Sequence, residues 1–233
     1  MKKVLDRITI KRFDYCIKLA TWGLNSLTYK EKYEQFIRAA IIRMVRKDEN
    51  PVEVIERFDK SWNKNVTEKD VLAGRYKKHR DLGKKAYYMI THFHDHVMPQ
   101  FDGFDKDSLL VYDTYVDGIN VKGEFDLIGY KGKKKELLII YQGLGIRRQA
   151  QLLVPGFAYS EVFDTTLRVR PINVSSVPTL KRNSSFALSQ ELRGWLEKDL
   201  MAKQMLLFHE DYIFPQPSEH CFECPIYQNC IGG

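Results

Sequence analysis

Gly118-Ile119-Asn120-Val121-Lys122-Gly123-Glu124-Phe125-Asp126-Leu127-Ile128-Gly129-Tyr130 is rich in β-branched, aliphatic and aromatic residues and reads as a strand. Lys131-Gly132-Lys133-Lys134-Lys135 supplies a turn, and Glu136-Leu137-Leu138-Ile139-Ile140-Tyr141-Gln142 reads as the next strand. With Leu109-Leu110-Val111-Tyr112 just upstream, the stretch predicts an antiparallel meander. Side chains alternate along a strand, so Glu124 and Asp126 share a face and form a candidate carboxylate pair. Glu136 opens the neighbouring strand, four residues before Ile140.

Upstream, residues 7–47 read as helical. Ile8, Phe13, Ile17 and Leu19 give one apolar face, and Tyr33, Phe36, Ile37, Ala40, Ile41 and Met44 recur at helical spacing between Tyr29 and Arg46. Pro51 suits the start of a third helix through Val54, Ile55 and Phe58. A polar loop is expected around Asn63-Lys64-Asn65, then a helix from Lys69 to about Val97, ended by Pro99. Downstream, a helix is expected over Arg147 to Phe163, a strand over Thr166 to Val174 and a helix over Ser189 to Leu207, with Ser189 as its cap. The order of elements gives a mixed α/β core with a helical N-terminal region, in one domain of 233 residues. Its parts are a helical region over 1–100, a core over 105–207 and a C-terminal segment over 208–233. Hydrophobic residues make up 44% and charged residues 29%, ordinary for a soluble protein. No run approaches the ~18 apolar residues of a membrane span, and the opening Met1 to Asp6 lacks the apolar stretch of a signal peptide. The expectation is an intracellular, cytoplasmic protein without a membrane partner. A net charge of +7 permits a polyanionic partner without requiring one.

The chain has four cysteines, and three stand close together as Cys221-x2-Cys224-x5-Cys230, with Cys16 far upstream. Structural disulfides are unexpected in a reducing compartment. Four thiolates also close a tetrahedral zinc site or a [4Fe-4S] cluster, and spacing alone does not separate these from each other or from unligated thiols. Either inorganic centre would tie the end of the chain to its first helix and close the chain into a ring.

Cys16, within Ile8 to Cys16, and the tail Phe214-Pro215-x-Pro217-x3-Cys221-x2-Cys224-Pro225-x-Tyr227-x2-Cys230 together resemble the PD-(D/E)XK nuclease superfamily, in its RecB-like iron–sulfur branch. That branch includes the CRISPR-associated RecB-like exonucleases and the AddB nuclease domain. Gly123 to Ile128 resembles the family's glycine-x-x-aspartate strand, Leu137 to Gln142 its aspartate-x-lysine strand, and Gln151 the glutamine that opens its next helix. The resemblance implies a restriction-endonuclease-like core, a [4Fe-4S] cluster on Cys16, Cys221, Cys224 and Cys230 (zinc being the alternative), and a Mg²⁺- or Mn²⁺-dependent cut at DNA. It also implies what is missing. Asp126 stands at the first acid, but Ile140 occupies the place of the second and Gln142 that of the lysine; Tyr87, four residues after Gly83, stands where the family often has histidine. A lone carboxylate holds Mg²⁺ poorly, and a glutamine lacks the field of a lysine beside the developing phosphorane charge. Asp126, with Glu124 beside it, is the only candidate metal ligand the motif retains.

The resemblance thus implies a catalytically degenerate nuclease fold that binds DNA, as single strands or ends, or a DNA-processing complex in replication, recombination or repair. An active exonuclease and a purely structural subunit are the alternatives. Arg147-Arg148 before the Gln151 helix, and Lys181-Arg182, are candidate phosphate contacts. His92 and His96 fall on one helix face with His94 between them, but no third ligand accompanies them; they read as a solvated helix end, and His209 and His220 as surface residues.

Overall fold

The computed structural model describes residues 4–13, 16–22, 27–66, 79–106, 111–141, 149–165, 167–173, 184–208, 224 and 230. The helices are α1 (Arg7–Phe13), α2 (Ile17–Trp22), α3 (Tyr29–Lys47), α4 (Pro51–Asn65), α5 (His79–His92), α6 (Ala150–Phe163) and α7 (Gln190–Phe208). The strands are β1 (Leu5–Asp6), β2 (Gly103–Phe104), β3 (Val111–Val116), β4 (Ile119–Glu124), β5 (Leu127–Lys131), β6 (Lys134–Tyr141), β7 (Arg168–Asn173) and β8 (Phe186–Ala187). Local chemistry places the helix ends. Thr28 and Glu31 form a capping box at the start of α3. Asn50 caps α4, with Pro51 at its first turn, and the Ser189 hydroxyl accepts the Leu192 N–H at 3.2 Å ahead of α7.

The strands form two sheets: β1-β4-β3, and β2-β5-β6-β7-β8. The β3–β4 connection is the two-residue Asp117-Gly118, both at positive φ, the conformation that matches the twist of a hairpin. β5 and β6 form a second hairpin, and β6 then runs parallel to β7 after the crossover through α6. From Glu136 to Tyr141 every residue of β6 is buried, as a strand covered on both faces must be. Its odd-numbered side chains, Leu137, Ile139 and Tyr141, enter a core shared with α1, α6 and α7. Its even-numbered Leu138 and Ile140 enter a second core shared with α3, α4 and α5.

The meander expected over 109–142 is instead two hairpins in separate sheets. The single strand expected over 118–130 breaks between Glu124 and Leu127, where Phe125 and Asp126 leave the ladder while remaining 1% exposed. The N-terminal region is not helical throughout: Leu5 and Asp6 pair in parallel with Val121 and Lys122. Asn63 to Asn65 complete α4 rather than forming a loop, and the Asn65 amide donates to the Ser61 carbonyl at 2.8 Å. The helix expected from Lys69 to about Val97 is, in its described part, regular from His79 only to His92; residues 67–78 lie outside the described residues. A π turn over Phe93–Val97 and a 3₁₀ turn over Met98–Gln100 follow. Pro99 supplies the cause, since it has no N–H to donate and its ring collides with the carbonyl four residues earlier.

Candidate functional site

The break between β4 and β5 puts Asp126 at the centre of a charge cluster. The last β5–β6 pair is Leu127 with Leu138, so the amide and carbonyl of Ile140 have no strand partner on that side. Asp126 fills half of the gap: its Oδ2 accepts the Ile140 N–H at 2.6 Å. Arg7 fills the other half, donating from Nη2 to the Ile140 carbonyl. The same guanidinium donates from Nη1 to both Asp126 oxygens, at 2.9 and 3.1 Å. Arg38 completes the clamp, donating from Nε to Asp126 Oδ1 at 2.5 Å and from Nη2 to Glu124 Oε2 at 3.0 Å. One arginine therefore bridges the two carboxylates, although Asp126 lies past the end of the strand that carries Glu124. Arg46 adds a longer bond, 3.4 Å, to the Asp126 carbonyl.

Two helices deliver these arginines. Arg7 opens α1, which is fastened to α3 by the buried Arg12–Glu31 pair (2.8 Å) and by Lys11–Glu34 (2.5 Å). Arg38 lies on the α3 face that carries Ile37 and Ile41 into the core. Gly123 lets the strand sit there at all. A Cβ on it would stand 2.5 Å from the Tyr112 hydroxyl and 2.7 Å from its Cζ, against a ring that is 3% exposed and has nowhere to go.

The electrostatics follow from this geometry. Burial alone would push the Asp126 carboxyl up, but the charges of Arg38 and Arg7 and the Ile140 N–H hold it below the ordinary carboxylate range. Asp126 is thus an anion at all physiological pH values, with its lone pairs already taken. A divalent cation needs several free oxygens. The donors here are one occupied carboxylate, Glu124 tied to the same arginine, and a side chain at 140 made of hydrocarbon. This set does not fit Mg²⁺ or Mn²⁺. Tyr87 offers no substitute, because burial and its 2.6 Å bond to Asp59 raise its hydroxyl to about 12. It stays protonated, as a donor.

A cavity of about 360 Å³ adjoins the cluster. Arg7 and Arg38 line it, whereas Asp126 lies behind them. Four basic and four acidic side chains share its wall, so it carries no excess charge of either sign. Glu136 is elsewhere on the sheet, held by Arg170 at 2.6 Å and Ser185 at 2.7 Å. Gln151 lies buried in the first turn of α6, its amide N–H donating to Gln149 at 3.1 Å. Gln142, Arg147, Arg148, Lys181, Arg182, His209 and His220 lie outside the described residues.

Cys16 caps α2, its Sγ accepting the Leu19 N–H at 3.4 Å. α7, the helix that precedes the C-terminal cysteines in the chain, packs against α2. Cys16, Cys224 and Cys230 are half-buried, and Cys221 lies outside the described residues. Among the described residues, no three His, Cys, Asp or Glu side chains gather to hold a metal ion. Among them also, no helix is long and apolar enough to cross a membrane.

A solved structure of a protein from Eubacterium rectale, described as a candidate exonuclease, superposes with a TM-score of 0.51 over 98% of this chain and 88% of that one. The fold is nuclease-like. Sequence identity between the two is 12%, so the likeness is one of fold. No family model matches the chain, and no curated protein matches it significantly.

The sequence alone had singled out Asp126 and Glu124 but neither Arg7 nor Arg38. Arg7 is 119 residues from Asp126 and Arg38 is 88 away, so nothing local signals the pairing. The available hint was an arginine amid the apolar face of a helix, which requires a buried anion opposite it.

Proposed function

We propose that this protein is a degenerate member of the PD-(D/E)XK superfamily, of the RecB-like iron–sulfur branch, and that it binds DNA or a DNA-processing complex without cutting. One observation carries the loss of catalysis: the carboxylate at the family's first acid is closed by two guanidiniums and a backbone N–H. A hydrolytic centre needs a cation there to polarise the phosphate and lower the pKa of water. A guanidinium neutralises the aspartate but has no open coordination position and generates no hydroxide.

The binding role rests on the nuclease-like fold, the net charge of +7 and the basic pairs Arg147-Arg148 and Lys181-Arg182. The balanced cavity beside Asp126 is not its source. In this reading Cys16, Cys221, Cys224 and Cys230 hold a [4Fe-4S] cluster. Support comes from their spacing and from the packing of α7 on α2, which brings the chain towards Cys16 before its last cysteines.

The test is incubation of cluster-intact protein with end-labelled single-stranded DNA and Mn²⁺, alongside salt-dependent DNA binding. The expected result is binding, weakened by Arg147→Ala with Arg148→Ala, and intact substrate. Cleavage that disappears in Asp126→Ala would establish a working nuclease instead. No affinity for DNA at low salt would leave the fold as a protein–protein module.

A further inference from the structure

From α5 into the π turn, the side chains of Lys84, Tyr88, His92 and His96 recur every four residues. Lys84, Tyr88 and His96 are exposed, Tyr88 by 54%, and His92 is half-buried between them. The three rings form a ladder. Tyr88 and His92 lie 6.2 Å apart at 25° to each other, and His92 and His96 lie 4.5 Å apart at 44°. The wider π turn that follows His92 carries His96 back under its ring, and short π segments of this kind recur at functional sites.

We propose that this ladder is a stacking platform for the bases of single-stranded nucleic acid. Base–aromatic stacking takes any base, because every base has a π face, and it works where bases are unpaired. Tyr88, whose ring centroid lies 6.2 Å from that of His92 and whose side chain is exposed, offers its outer face to a base. The far edge of His96 offers a second face. Lys84, one turn before Tyr88, puts a cation at the end of the row, where a strand's phosphates would pass. Asp95, the acid within the π turn, is engaged by His94 at 2.7 Å. The core does not require these rings, since α5 and the π turn bury Ala86, Met89, Ile90, Phe93 and Val97 on the other side.

This inference rests on the DNA-binding reading but adds a surface of its own, away from the arginine clamp. The probe is fluorescently labelled oligothymidylate carrying 2-aminopurine, with duplex DNA of equal length in parallel. Replacing Tyr88, His92 and His96 together by Ala is expected to weaken single-strand binding at least about tenfold and to abolish 2-aminopurine quenching. Duplex affinity is expected to change less than about twofold, because paired bases present no free faces. Replacing all three by Phe keeps the ring faces and removes the imidazoles, and is expected to retain both signals. If the Phe variant falls with the Ala variant, a metal or charge role replaces stacking and the proposal fails. If the Ala variant binds the oligonucleotide like the parent, the ladder is overturned while DNA binding stands. If the parent binds neither form of DNA, both readings fall together.

Discussion

Asp126→Ala is the perturbation that best separates a salt-bridged carboxylate from a working metal centre, because the first loses stability and the second loses cleavage. In a metal centre the acids are crowded for catalysis and repel one another without the ion, so removing one abolishes cleavage and costs little stability. Here Asp126 neutralises Arg7 and Arg38 and completes the hydrogen bonding of Ile140. Breaking a buried ion pair from one side costs about 3–5 kcal/mol, because the partner charges are left uncompensated. The Arg7 and Arg38 side chains keep 10% and 14% exposure, so water reaches them and the loss falls near the low end, about 3 kcal/mol. For a chain of 233 residues that lowers Tm by about 6–12 °C. The measurement is thermal and urea unfolding at pH 7. Arg38→Met and the double variant Asp126→Ala with Arg38→Met complete a cycle, and the double variant is expected to recover at least about 1 kcal/mol relative to the sum of its parts. A Tm for Asp126→Ala equal to or above that of the parent would refute the reasoning.

The same contact predicts a pH signature. Asp126 has a folded pKa below the 3.8 of an ordinary aspartate. Its contribution is therefore complete above that value and lost as pH falls through the lowered folded value; in urea titrations the stability gap between parent and Asp126→Ala narrows only below about pH 4. Gly123→Ala is expected to cost about 1–3 kcal/mol through the collision with the Tyr112 ring, read as a lower Tm together with a changed near-ultraviolet tyrosine signal. For the cysteines, anaerobically purified protein is expected to be brown and to contain iron and sulfide. Cys16→Ser should bleach it and lower its Tm, whereas colourless protein carrying zinc would remove the cluster from the account.

What the sequence made legible was whatever is encoded locally. The Lys131 to Lys135 stretch marks the β5–β6 hairpin, whose turn needs the positive φ that Gly132 takes without strain. Pro51 marks a helix start because its missing N–H costs nothing there, and Ile37, Ile41 and Met44 mark the buried face of α3 by spacing. The split of the sheet was not legible. Phe125 and Asp126 continue the alternation of β4, and the pattern does not record that the ladder stops at Glu124. Nor does it record that Leu5 and Asp6, too short a segment to read as a strand, add to the opposite edge of β4. For the site, it was the resemblance that marked position 140 as the place of a second acid, and the aliphatic side chain there cannot be a ligand. Arg7 and Arg38 could not be read, since their partnership with Asp126 exists only once α1 and α3 are docked.

The order of dependence within the cluster bears on how such a centre can be lost. An aspartate that is 1% exposed cannot stand unpaired, because moving a lone carboxylate out of water costs several kcal/mol even after relaxation. A chain that loses its second acid and its lysine first is left with that charge and a weak cation site. Two resolutions are open to it: discard the aspartate or supply another counter-charge. Discarding it would orphan the Ile140 N–H, which β5 does not reach. Asp126 thus has a structural role of its own, as the group that finishes the ladder, and Arg7 and Arg38 supply its counter-charge. It follows that restoring an acid at position 140 alone would place a second carboxylate in a side-chain position that is 0% exposed, within a cluster whose cations are already committed. In the proposed reading the arginines would have to leave before a metal could enter, so a metal site would call for changes in α1 and α3 rather than in the sheet alone.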